Sequence, residues 1–216
     1  MLKVGLTGNI GSGKTFVSKV FSVLRVPVYV ADEAGKKHLD DPLVKSDLVE
    51  HFSKTILTKD GKINRKSLAS IVFNDPFALQ VLNSIIHPLV IRDFEEWTLL
   101  HFSAVYVIHE AAIIFESGFQ KKFDFIIHVS CPKEIAIERV MHRDHVDGNS
   151  VLKRMAFQME DAEKSSLSDF IINNDGTNLV IPQVLSIHKQ LIQIGAQRDK
   201  KSAFRSDDNN ENHEPT

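Results

Sequence analysis

Residues Gly8-Asn9-Ile10-Gly11-Ser12-Gly13-Lys14-Thr15 match the pattern G-x-x-x-x-G-K-[ST] at every fixed position. An apolar strand signal, Leu2 to Leu6, precedes them, and Phe16, Val17, Val20, Phe21 and Leu24 follow at helical spacing. Strand, glycine turn and helix in that order make a phosphate cradle. The glycines let backbone N–H groups converge without Cβ clashes, and the helix turns its positive end toward the anion. In such a cradle Lys14 reaches the β- and γ-phosphates of a nucleoside triphosphate and the Thr15 hydroxyl suits Mg²⁺. Gly8, Gly11, Ser12 and Gly13 supply the loop.

The remainder of the chain alternates strands with helices. Strands are expected at 26–31, 104–108, 125–129 and 170–172, and helices from Pro132, from about 150 to 163, and over 182–194. This predicts an α/β fold, a parallel-sheet core with helices on both faces. Ligands in such sheets bind at the carboxyl ends of the strands. That edge holds Thr7 onward, Asp32, His109-Glu110, Ser130 and Asn173. Between the second and third strands the texture becomes helical, broken at Asp41-Pro42, Asp60-Gly61, Asp75-Pro76 and His87-Pro88. About 70 residues is long for a connector, so this stretch is expected to hold a second substrate. Its best polar candidates are Arg65 and His87, the latter before a proline at an expected helix start. The expected division is a core of 1–31, 103–138 and 166–196, a helical acceptor-binding insertion at 32–102, and a lid at 139–165. A polar tail at 197–216 is expected to lack structure.

Composition limits the partners. Lys plus Arg is 26 and Asp plus Glu is 28, a net charge of -2, which argues against broad attraction to nucleic acid or to a membrane surface. Bound phosphate must therefore be held by a local constellation. The single cysteine, Cys131, cannot form an internal disulfide, and Met1-Leu2-Lys3 enters a strand without a signal-peptide pattern. A cytoplasmic protein with no obligate protein partner is the expectation.

Two further features narrow the chemistry. Asp32 stands where the second strand ends, beside the phosphate loop, where a carboxylate can orient and deprotonate an attacking alcohol or touch Mg²⁺. It could equally cap a helix. Arg139 and Arg143 lie four residues apart on one helical face and can supply cations to a transferring phosphoryl group, or else pair with Glu138 and Asp144 as a solvated face. His142 and His145 lack the further ligands a metal site needs. Asp32-Glu33-Ala34-Gly35 fits D-x-x-G, but no N-K-x-D follows, which counts against a GTPase. A kinase for a nucleoside monophosphate or a sugar, and a non-catalytic ATP-binding switch, both remain open on these residues.

The ordered motifs resemble the dephospho-CoA kinase family. They are Leu6-Thr7-Gly8-Asn9-Ile10-Gly11-Ser12-Gly13-Lys14, Ala31-Asp32, Asp60-Gly61 with Arg65 and Leu68-Ala69, and His87-Pro88. Ile113-Ile114-Phe115-Glu116 follows, then Arg139 with Arg143-Asp144 and Gln158, then Asp169 to Asn173 with Gly176. The likeness covers about residues 2 to 195. It implies ATP-dependent phosphorylation of the ribose 3′-hydroxyl of dephospho-CoA, the last step of coenzyme A synthesis, with dephospho-CoA and ATP as substrates. It implies that Gly11 to Phe16, with Lys14, hold ATP, and that Asn173 to Gly176 lie near adenine. Asp32 would be the base and Mg²⁺ contact, Arg139 and Arg143 the lid cations, and Arg65, His87 and Glu116 acceptor-site residues. Asn9, Phe16, Ala112 and Ala136 depart from the family pattern. None of these removes a charge that the chemistry needs.

Overall fold

The computed structural model describes the backbone of residues 1–207 and side chains as far as Arg198. Five strands form one parallel sheet: β1 (Leu2–Thr7), β2 (Val28–Val30), β3 (Tyr106–Glu110), β4 (Phe125–Ser130) and β5 (Phe170–Asn173), in the order β2-β3-β1-β4-β5. β1, β3 and β4 are almost wholly buried, as strands covered on both faces must be.

One face is sealed by α1 (Lys14–Val23) and α9 (Val180–Asp207). Val17 and Phe21 from the first, and Val184, Ile187 and Leu191 from the second, pack on Leu2, Val4 and Leu6. The other face is sealed by α2 (Ala31–His38) and α5 (Pro76–Leu99), through Ala34, Val90 and Phe94 against Tyr29, Val107 and Ile126. The remaining helices of the insertion, α3 (Pro42–Phe52) and α4 (Arg65–Val72), build a separate small core with α5 around Val44, Leu48, Ile56, Leu68 and Val72. Their starts follow from local chemistry. Asp41 and Asp75 accept N–H bonds ahead of Pro42 and Pro76, and Asn64 accepts from Ser67. After β4 come α6 (Lys133–Asp144), α7 (Gly148–Met155) and α8 (Asp161–Ser166).

Four expectations need correction. His87-Pro88 is not a helix start: α5 runs through it, because apolar residues on both sides of Pro88 pack on the two cores and outweigh the one lost hydrogen bond. The third strand lies two residues later than expected, which brings Glu110 into it. The helix expected to run to about 163 is two helices, parted where Gln158 and Met159 bond to the phosphate loop. Residues 197–207, expected without structure, continue α9, since Gln, Lys, Arg and Ala propagate a helix well. Residues 208–216 of that expected tail lie outside the described residues.

Candidate active site

Register places the site. Leu6 of β1 and Val30 of β2 both align with Glu110 of β3, so the loops after these three strands leave the sheet at one edge. From that edge the phosphate loop enters α1. Gly8, Gly11 and Gly13 have φ of 153°, 82° and 95°. A Cβ on Gly11 would lie 2.3 Å from the Ala136 carbonyl oxygen, and one on Gly13 would lie 2.2 Å from Asn174 Nδ2. The glycines therefore serve conformation and close packing together. Asn9 is not among the residues with positive φ, so its replacement of a glycine strains nothing; its Nδ2 donates to the Met159 carbonyl at 3.2 Å.

A cavity of about 710 Å³ opens from the loop into the helical insertion. Gly11, Gly13, Lys14, Thr15, Asp32 and Glu110 line its inner end. Lys36, Arg65, His87 and Glu116 also line it, as do Arg139, Arg143, Arg154 and Gln158. Leu68, Val72, Leu79 and Leu82 give its outer half an apolar wall. Phe157, from the 139–165 segment, lies tilted against Phe73 of the insertion with ring centroids 6.3 Å apart, and Lys153 donates to Asn74 at 3.2 Å. Segment and insertion thus meet across the cavity.

The electrostatics are concentrated at the inner end. Lys14 is 9% exposed and donates to the Gly8 carbonyl at 2.7 Å. Burial pushes its ammonium below the usual lysine value, against the opposing pull of Glu110 and Asp32. Glu110 is 5% exposed, and burial pushes its carboxyl above the usual value, with Lys14 opposing. Asp32 is exposed and sits in the first turn of α2, where the helix dipole favours its charge. Val30, not Asp32, is the residue at the α2 N-cap position, and Asp32 makes no cap bond.

The two expected arginines differ. Arg139 donates to the Asn174 carbonyl and Oδ1, both at 3.3 Å, and Asn174 Nδ2 donates to the Ser12 carbonyl at 2.7 Å. Arg143 forms a two-pronged pair with Asp144, which also accepts from Arg154 at 2.8 Å. Both expected arginines stand on α6, continuous with the helix that leaves β4. Gly8 and Ser12, although part of the loop, do not line this cavity, and neither do Phe16, Asn173 and Gly176. Phe16 is 49% exposed, and Asn173 exchanges both backbone bonds with Gln183. Glu116 lines the cavity, yet its Oε1 accepts from Lys164 and from the Met159 N–H, each at 2.8 Å.

The sequence pattern gives no role to Arg154 or Lys164, while Glu110 already stands among the strand-end candidates and Asn174 inside the 173–176 segment. Nothing local marks Arg154 or Lys164. Among the described residues no three or more His, Cys, Asp or Glu side chains gather as a metal centre. The Thr15 hydroxyl and the Asp32 and Glu110 carboxylates do line one cavity end. That is a hard-oxygen set, suited to Mg²⁺ taken mainly through substrate phosphates.

A phosphate loop at the edge of a parallel sheet, opening into a helical insertion, defines a P-loop kinase of the small-molecule type. A profile of the dephospho-CoA kinase family matches residues 2–179. The chain is 37% identical over 194 residues to a dephospho-CoA kinase of Bacteroides fragilis, covering 89% of this chain and 94% of that one. It is 35% identical over 188 residues to one of Porphyromonas gingivalis, covering 87% and 93%. Among solved structures, a Thermus thermophilus protein superposes with TM-score 0.76 at 28% identity, covering 88% of this chain and 96% of that one. A dephospho-CoA kinase from Campylobacter jejuni gives 0.64 at 26% identity, covering 88% and 97%. The chain belongs to the dephospho-CoA kinase family.

Proposed function

We propose that the protein transfers the γ-phosphoryl group of ATP to the ribose 3′-hydroxyl of dephospho-CoA, giving coenzyme A and ADP. The observation that carries this reading is the single cavity shared by Lys14, Asp32 and the helical insertion. A nucleotide held on the loop and an acceptor held by the insertion can meet there, with Asp32 at the junction.

The 3′-oxygen attacks the γ-phosphorus in line. One O–P bond forms, the bond to the β,γ-bridging oxygen breaks, and ADP leaves. Asp32 takes the proton from the 3′-hydroxyl. Lys14, Arg139 and Arg143 face the charge on the transferring group, where fixed cations are worth most. Arg154 adds a third guanidinium through its shared partner Asp144. Thr15, Asp32 and Glu110 would hold Mg²⁺, which neutralises phosphate oxygens when bound. Residues 139–165 serve as the lid, 32–102 as the acceptor domain with Arg65 and His87, and Asn173 to Gly176 as the adenine side. No helix among the described residues is long and apolar enough to cross a membrane. The reading places the protein in the cytoplasm.

The test is an acceptor panel. Purified protein with Mg·ATP and dephospho-CoA yields equal ADP and coenzyme A, whereas nucleoside monophosphates and sugars yield little. Absence of acceptor-dependent ADP overturns the reading. ATP binding without turnover of any acceptor would favour a switch.

A further inference from the structure

A second cavity, about 780 Å³, runs between α5 and the segment 116–122. It shares Leu79, Asn83, His87, Glu116, Ser117 and Phe157 with the cavity at the phosphate loop, so the two meet at one wall. Gln80, Ser84, Pro88 and Ile91 then carry it along a single stripe of α5. At the far end Lys122 donates to Glu95 at 3.2 Å, tying the two walls together.

Its lining is mixed in a particular way. Leu79, Ile91, Phe119 and Phe157 are apolar, while Gln80, Asn83, Ser84 and Ser117 are polar without charge. Pro88 adds one more acceptor. It has no N–H, so the Ser84 carbonyl lacks its i+4 partner within α5, and both residues line this groove. Of the charged lining groups, Glu95 and Lys122 answer each other at the far end, Glu116 is paired with Lys164, and Arg92 stands beside Ile91. The stretch from Leu79 to Ile91, apolar carbons beside uncharged amides and hydroxyls, suits a neutral chain that alternates amides with apolar carbons.

We propose that this groove receives the pantetheine arm of the acceptor. The proposal rests on the dephospho-CoA reading above. With the ribose 3′-hydroxyl at Asp32, the arm must leave the first cavity away from the phosphate loop, and the shared wall at His87 and Phe157 opens that way. The arm carries two amides, a hydroxyl, a gem-dimethyl carbon and a terminal thiol, and no charge. Its thirteen-atom backbone resembles about four extended residues, hence about 14 Å. α5 rises about 18 Å from Asn83 to Glu95. The arm therefore fits along the stripe, with its amides beside Asn83 and the Ser84 carbonyl and its thiol toward Ile91. This groove would then separate dephospho-CoA from acceptors that lack the arm.

Two experiments test it. Ser84→Trp and Ile91→Trp fill the groove without touching the phosphate loop. The expected result is a rise of about ten-fold or more in KM for dephospho-CoA, with KM for ATP and the unfolding temperature unchanged. Wild-type KM values in both variants, or equal rises for both substrates, overturn the groove. Second, the 2-thiopyridyl disulfide of dephospho-CoA should label Ile91→Cys at least about ten-fold faster than Leu43→Cys. The new thiolate displaces pyridine-2-thione and forms a mixed disulfide. Equal labelling rates overturn the proposal. If the wild type shows no acceptor-dependent ADP, the dephospho-CoA reading itself falls; if it is active and the variants discriminate nothing, only the groove falls.

Discussion

Gln158 Oε1 accepts the backbone N–H of Ile10 at 2.9 Å, joining the joint between α7 and α8 to the phosphate loop across most of the sequence. The neighbouring bond from Asn9 to the Met159 carbonyl doubles the link. Gln158 is thus a positioning residue, shaping the loop through the Ile10 amide. Replacing it with Ala leaves a part-buried N–H unpaired, a loss of about 1–2 kcal/mol, or about 5- to 30-fold in affinity. Titration calorimetry of Gln158→Ala with ATP should show that weakening, and Gln158→Glu, which keeps an acceptor, should recover part of it. An unchanged ATP affinity would remove the role.

Lys164 is fully buried and pairs with Glu116 at 2.8 Å, while also donating to the Ala112 carbonyl at 2.8 Å. Breaking a buried pair from one side is costly, about 3–5 kcal/mol. Urea unfolding of Lys164→Met should show a loss of that size, and Lys164→Met with Glu116→Gln should recover much of it. If Glu116 also contacts the acceptor, the stabilised double variant keeps a raised KM for dephospho-CoA.

Asp32 has no side-chain hydrogen bond on α2 and is free to serve a substrate. Asp32→Asn should bind ATP nearly as the wild type does and turn over about 10²- to 10⁴-fold more slowly. Rapid-quench measurement of the chemical step distinguishes this from slow product release. Unchanged turnover would exclude Asp32 as the base.

His109 is 3% exposed, stacked at 5.4 Å on Tyr29 and edge-on at 4.7 Å to Phe94. Burial pushes its imidazole down to about 4 from 6.5. Between those values the unfolded chain binds the proton that the fold refuses. Its contribution is therefore intact above pH 6.5 and is lost as pH falls toward 4, about 3 kcal/mol in all. His109→Phe should stay folded at lower pH than the wild type, while the two converge near neutrality. Parallel acid-unfolding curves would contradict this.

What the sequence displayed was mostly local. The phosphate loop, the caps at Asp41 and Asp75, and the buried strands each follow from short-range chemistry, and each is present. The path of α5 through Pro88 was hidden because tertiary packing on two cores outweighs a local breaker. Glu110 was visible as a strand-end residue, but its burial beside Lys14 was not, because the strand runs two residues further than its pattern suggests. Lys164 shows the general difficulty: a buried cation is indistinguishable in sequence from a solvated one until its partner, here Glu116 from a distant loop, is brought to it.

α9 closes one face of the sheet. Val184, Ile187 and Leu191 cover Leu2, Val4 and Leu6, Tyr106 bonds to His188 at 2.7 Å, and Arg198 pairs with Asp124 at 2.7 Å. β1 and α9 stand at opposite ends of the described residues, so on the ribosome the first strand emerges long before its cover. Until α9 is made, the strand that aims the phosphate loop has an apolar face covered by α1 alone, part of it open to chaperones or to sticking. The support of the phosphate loop at residues 8–15 is therefore finished only once residues 180–191 have been made.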